Sequence, residues 1–255
     1  MAHHEFVPTH YHTTMGWHDA VLEIDSGDSV STTTVDARGR DHTGERVSPR
    51  GNPQTGPFFV RGAEEGDTLV VTLDELTPNR DWGWTGGQVA ANVVDPGFQP
   101  TFDDDPQPQF DDDARPSFRW NVDVEAGTVQ LATGEGPMTR MPLTLDPMVG
   151  CFGVAPERGQ AISTSTSSTH GGNMDYRGFR QGVKVHFPVF APGALFHIGD
   201  GHAVQGDGEI VGTGVEISFD VKFSVELIKG RTIYWPRAID ETWMMTVGNA
   251  RPLDQ

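Results

Sequence analysis

The sequence predicts a mainly β protein: two packed β regions, sandwich- or barrel-like, with few short helices. Three observations carry this. Over residues 215–227, Val215, Ile217, Phe219, Val221, Phe223, Val225 and Leu227 share one parity, and Glu216, Asp220, Lys222 and Glu226 share the other. That period of two is a long strand with one buried face. The 31 glycines and 18 prolines bound β-branched runs, as turns between strands require. Stretches with the 3.6-residue helical period are nearly absent.

The elements follow in order. "DSVSTTTVDA" (28–37), "DTLVVTLDEL" (67–76), "GTVQLA" (127–132), "GVKVHFPVFAPGALFHIG" (182–199), "GEIVGTGVEISFDVKFSVELI" (208–228) and "WMMTVG" (243–248) are β-branched or alternating. Only "DETWMMTVGNA" (240–250) suggests one turn or a short helix. Residues 101–118 hold two Asp triplets and three prolines, and read as a solvated loop. The spacing there does not match an EF-hand. The loop separates an N-terminal β half (about 1–120) from a C-terminal β half (about 121–255) within a single domain spanning 1–255.

The net charge is −18, with lysine only at 184, 222 and 229. Such a surface repels nucleic acid and anionic membranes, so neither is expected as a partner. Acid-rich, lysine-poor usage also fits a halophilic protein, whose self-repulsion salt would screen. Cys151 is the single cysteine, which excludes an intrachain disulfide and a cysteine-type zinc cluster. "MAHHEFVPTH" lacks the basic and apolar regions of a signal peptide, and no apolar run is long enough to span a bilayer. A cytoplasmic protein is expected.

The chemistry concentrates in "GALFHIGDGHAVQGDGEI" (193–210). On a strand, residues two apart share a face, so Asp200 and His202 point together, as do Asp207 and Glu209. Two such pairs at adjoining strand ends suit a divalent ion such as zinc. His197 has the opposite parity and reads as core or as support for the ligands. In "STSTSSTHGGNMDYRGF" (163–179), Gly171 and Gly172 beside His170 permit close backbone approach, and Asn173 and Asp175 offer orienting or ion-binding groups. A third cluster holds His10, His12 and His18, with Asp36 further on. Each cluster also has a plainer reading, as a Gly-Asp or Gly-Asn turn with incidental polar neighbours.

"DSGDSVSTTTVDARG" (25–39), "NPQTGPFFVRGAEEGDTLVVTL" (52–73), "PMVGCFGVAP" (147–156) and residues 168–217, from "STHGGNMD" to "GTGVEI", together resemble the acetamidase/formamidase family. The "HGGNMD" pair with "GALFHIGDGHAVQGDGE" is the most specific part. The resemblance implies hydrolysis of short aliphatic amides to ammonia and a carboxylate, a mostly β fold with two packed substructures, and a homodimer. Amide hydrolysis needs an activated water, a polarised carbonyl and a proton for the leaving ammonia. Asp36, His170, Asp200 and His202 are the expected ligands of a divalent metal, zinc or else calcium. Glu209 is the expected general base, and Asp175 and Asn173 complete the catalytic set. Gly171, Gly172, Asp207 and His12 are expected to support the ligands or the substrate. The alternative assignment makes Glu209 a ligand and Asp175 the base. Cys151, in an apolar run without an adjacent base, reads as core, and Lys184 lacks the serine partners of a Ser-Ser-Lys amidase. Trp82 and Trp84 are pocket or core residues. The competing reading from another class is a non-hydrolytic, cupin-like metal-binding β-barrel.

Overall fold

The computed structural model describes residues 1–87, 89–90, 117–132 and 136–249. Residues 101–116 of the Asp-rich segment lie outside the described residues. The strands are β1 (His3–Glu5), β2 (Thr14–Met15), β3 (Leu22–Ile24), β4 (Ser29–Thr33), β5 (Gln54–Val60), β6 (Thr68–Pro78) and β7 (Trp82–Gly86). They continue with β8 (Ser117–Asp123), β9 (Thr128–Leu131), β10 (Leu143–Thr144), β11 (Met148–Gly153), β12 (Ile162–Ser163), β13 (Ser167–Ser168) and β14 (Gly171–Asn173). The last are β15 (Lys184–Pro188), β16 (Phe196–His202), β17 (Phe219–Ile228), β18 (Arg237–Ile239) and β19 (Met244–Thr246). Helical structure among the described residues amounts to two 3₁₀ turns, Pro137–Arg140 and Glu157–Gly159. The short helix considered near the C-terminus is instead the edge strand β19, which pairs with β18.

A seven-stranded sheet runs β1-β4-β17-β6-β15-β18-β19, and a six-stranded sheet runs β13-β14-β11-β16-β5-β3. A four-stranded sheet, β10-β9-β8-β7, stands beside them. Both large sheets draw strands from early and late sequence, so the two packed layers are not the two halves of the chain. The line near residue 120 falls within β8 and cuts across both sheets.

The alternation of β17 explains the packing. Phe219, Val221, Phe223 and Val225 are buried, while Asp220 and Glu226 are exposed. From the seven-stranded sheet, Phe223 meets Phe58 of β5 and Phe196 of β16, with ring centroids 5.1 Å apart in each case. Phe187 of β15 meets Phe152 of β11 at 5.5 Å. The sandwich core is therefore aromatic along its midline, and each fully buried side chain of this kind contributes about 1.5–3 kcal/mol. The core fills the space between the sheets, and the polar clusters lie on and beyond the six-stranded sheet, near the ends of β11, β14 and β16.

Candidate active site

β16 carries the first two polar groups. All seven of its residues are buried, including Asp200 and His202. It pairs antiparallel with β11, and between the Val149–Gly201 and Cys151–Gly199 pairs Gly150 faces Asp200. On the other side of β11, Cys151 pairs with Asn173 of β14. The chain leaving β14 stays against Gly150, whose carbonyl accepts from the Met174 and Asp175 amides at 3.0 and 3.1 Å. A Cβ on Gly150 would lie 2.7 Å from Asp200 Oδ2 and 3.1 Å from His202 Cε1, and would overlap Asp175 Oδ1. Glycine is therefore required at 150, because the side chains of Asp175, Asp200 and His202 gather over it.

Glu209 and Glu216 close the cluster from the segment after β16. Glu216 exchanges main-chain hydrogen bonds with Trp84 of β7 and sits opposite His202. Its Oε1 is 3.0 Å from His202 Nε2; Asp200 Oδ1 is 3.4 Å away and Glu209 Oε1 4.0 Å. Asp175, Asp200 and His202 offer ligand atoms that all lie within 4.8 Å of one another, and so do His202, Glu209 and Glu216. Asp175, Asp200 and Glu209 all have left-handed backbone, with φ of 44°, 61° and 43°. Such φ values are uncommon for non-glycine residues and concentrate at functional sites.

The electrostatics follow from four carboxylates around one imidazole in a dry place. Burial, then Asp200 and Glu209, push the Asp175 carboxyl well above its usual range. Burial raises Glu216 to about 8 and raises Glu209 as well. For His202, burial favours the neutral ring, but Glu216 and Asp200 prevail and hold the imidazolium well above its ordinary value. Three buried atoms of this cluster make no hydrogen bond: Asp175 Oδ1, His202 Nε2 and Glu216 Oε2. Groups buried in this way are normally paired with a charge or a metal.

An amide ladder sets the far edge of the cluster. Asn173 Nδ2 donates to Asp175 Oδ2. Asn52 Nδ2 in turn donates to Asn173 Oδ1 at 2.7 Å, and Gln54 Nε2 to the Asn52 carbonyl at 3.1 Å. One Asp175 oxygen is thereby held by the ladder, leaving Oδ1 aimed at the cluster. Cys151 lies beneath it, fully buried, with its thiol raised well above the usual range by burial, Asp200 and Asp175.

Of the residues expected at one centre, Asp175, Asp200, His202 and Glu209 come together, with Asn173 beside them. Others do not. Asp36 is buried elsewhere: its Oδ2 takes Arg80 Nη2 at 2.6 Å and Trp84 Nε1 at 3.1 Å, and its Oδ1 takes the Arg38 and Arg40 amides. With both oxygens occupied, it braces β7 and lies outside both potential metal groups. Trp84 is thus core, while Trp82 stacks under Arg80, whose guanidinium carbon is 3.9 Å from the ring centroid. His170 is buried with both ring nitrogens unpartnered, outside both potential metal groups. His12 stacks on His18 at 4.0 Å and meets His197 edge-on at 6.1 Å, forming a histidine cluster apart from the carboxylates. Asp207 is a surface residue paired to Arg177 at 2.6 Å. Gly171 and Gly172 serve the packing of backbones: a Cβ on Gly171 would lie 2.6 Å from the Phe152 carbonyl, and one on Gly172 would overlap that of Thr166. The alternation over 215–227 puts Glu216 on the solvent face, yet it is only 2% exposed. It precedes β17, and its bridges to Trp84 and His202 turn it inward.

Residues 158–248 match the Acetamidase/Formamidase family. The chain is 29% identical over 221 residues to an acetamidase of Mycolicibacterium smegmatis, a match covering 69% of this chain and 53% of that protein. It therefore spans about half the length of that curated relative. Among solved structures, the acetamidase from Yersinia enterocolitica superimposes with a TM-score of 0.78 at 31% identity, over 99% of this chain and 76% of that one. The acetamidase from Bacillus halodurans gives 0.76 at 28% identity, over 98% and 79%.

Proposed function

From the premise that this chain belongs to the acetamidase/formamidase family, we propose that it is an amidase that hydrolyses short aliphatic amides, formamide or acetamide, to ammonia and the carboxylate. The observation that carries the reading is the convergence of Asp175, Asp200, Glu209 and Glu216 on His202, with buried oxygens of Asp175 and Glu216 left without a hydrogen bond. The family gives no comparable support to the cupin-like alternative.

The donor set fits a divalent cation. Two buried carboxylate oxygens without a hydrogen-bond partner, Asp175 Oδ1 and Glu216 Oε2, and an excess of buried carboxyl groups are what such an ion would satisfy. Mixed imidazole and carboxylate donors suit zinc better than calcium, which prefers oxygen alone. Asp175, Asp200 and His202 would hold it, with Glu216 at the same His202 nitrogen that faces Asp200. When bound, the ion supplies Lewis acidity for the amide carbonyl and lowers the pKa of water. The chain supplies the rest. Glu209 is the most open of the cluster's carboxylates around His202, with its side chain 15% exposed. Its raised pKa suits a group that takes a proton from water and returns it to the leaving nitrogen. The Asn173–Asn52 ladder keeps Asp175 from turning away. The same reading takes the enzyme to be cytoplasmic and a homodimer; light scattering tests the latter.

Ammonia release from formamide and acetamide, with zinc or with a chelator, tests the function. Glu209→Gln should lower turnover about 10²-fold or more while metal content stays near wild type. Loss of the metal in that variant would make Glu209 a ligand, with Asp175 the base. A folded wild-type protein that releases no ammonia from any short amide, with zinc and molar salt supplied, would overturn the proposal.

A further inference from the structure

Gln205 lies three residues beyond His202 and is nearly buried. Its Oε1 is 2.8 Å from His202 Nδ1, and its Nε2 donates to the Asp175 main-chain oxygen at 2.6 Å. A main-chain oxygen can only accept, so the amide nitrogen must face it. The amide oxygen then faces Nδ1, and Nδ1 must carry a proton to make that bond. Nε2 is left as the nitrogen that points at Glu216 and Asp200. Packing alone does not decide this. Gly150 and Gly214 press on the imidazole, with a Cβ on Gly214 falling 2.6 Å from both Cγ and Nδ1. They fix where the ring lies but not which nitrogen holds the proton.

We infer that Gln205 is a positioning residue: it fixes the His202 imidazole with Nδ1 protonated and Nε2 presented to the carboxylates, and ties that ring to the segment carrying Asp175. The inference rests on reading this cluster as the active site. It gives one side chain control of two members of the cluster at once, because the same amide plane that orients the ring also holds the Asp175 carbonyl. Removing it frees the ring to change tautomer and frees the chain after β14 to move.

The test uses the 255-residue chain in three forms: wild type, Gln205→Met, which keeps the length and loses both hydrogen bonds, and Gln205→Glu, which keeps the acceptor for Nδ1–H. In metal-free ¹⁵N-labelled protein, wild type should show a slowly exchanging His202 Nδ1–H resonance, whether the ring is neutral or charged. Gln205→Met should lose it and Gln205→Glu retain it. Zn²⁺ affinity should fall about 10–100-fold in Gln205→Met and recover in part in Gln205→Glu. Thermal unfolding checks that each variant is folded; if Gln205→Met is not, Gln205→Asn, too short to reach both partners, replaces it. A resonance absent from wild type, or unchanged in Gln205→Met, would overturn the inference. Wild type that shows the expected resonances yet releases no ammonia counts against the amidase reading alone.

Discussion

Replacing His197 with Gln should make the fold less sensitive to acid. His197 is wholly buried on β16, donates Nδ1–H to the Leu195 carbonyl at 3.0 Å, and has no partner for Nε2. Burial first, then the rings of His12 and His18, lower its pKa to about 3. In the unfolded chain it returns to about 6.5. The folded state thus refuses a proton that the unfolded chain takes up below pH 6.5. The neutral ring's contribution to stability is whole above that value and drains as pH falls toward 3. Each pKa unit is worth about 1.4 kcal/mol, so the loss is near zero at pH 7 and about 2 kcal/mol at pH 5. Glutamine cannot take the proton and escapes this loss. The packing cost of the substitution is the same at both pH values and cancels in the comparison. Between pH 7 and pH 5, the stability of His197→Gln should therefore improve relative to wild type by about 2 kcal/mol. Urea denaturation in molar KCl reads it as a relative shift of roughly 0.7–1 M in midpoint, for a slope of about 2–3 kcal/mol/M. A difference between the two proteins that does not change with pH would refute the argument that His197 is held neutral by burial.

Three further outcomes follow from the structure. Gly150→Ala pushes a methyl group into Asp175 and to within 2.7 Å of Asp200; zinc binding and ammonia release should fall at least about 10²-fold, while circular dichroism stays that of the wild type. Arg80→Met strips the buried Asp36 of its guanidinium partner and should cost about 3–5 kcal/mol in denaturant unfolding, with part of the loss regained when Asp36→Asn is added. With a net charge of −18, thermal stability and activity should rise with KCl up to molar concentrations; full stability in dilute buffer, with no gain on adding salt, would refute a halophilic design.

How much of this was legible in the sequence depended on the distance over which the signal acts. The alternation of Phe219, Val221, Phe223 and Val225 is local, and it located both the strand and its buried face. Asp200 and His202 could be placed on one face because two residues on a single strand obey a fixed period. Asp36 could not be assigned in the same way. Its two side-chain partners, Arg80 and Trp84, are 44 and 48 residues away, and without them a buried carboxylate looks like a ligand. Glu216 escapes the pattern for the opposite reason: the period of β17 holds only from Phe219, where the strand begins. The role of Gly150 was invisible because a glycine in "MVGCFG" carries no mark of which side chains lie over it.

The place of β17 between β4 and β6 also governs how the protein can be made. A ribosome delivers β4 and β6 first, and each must wait for a strand that ends at Ile228. At about 5–20 residues per second, both strands emerge with open edges roughly 7–40 s before their shared neighbour arrives. For that interval the nascent chain is a set of unpaired β edges, the form most prone to stick to other chains. Strong acidity is useful there as well, since like-charged nascent chains keep apart. Expression therefore calls for chaperones that cover the open edges until β17 arrives.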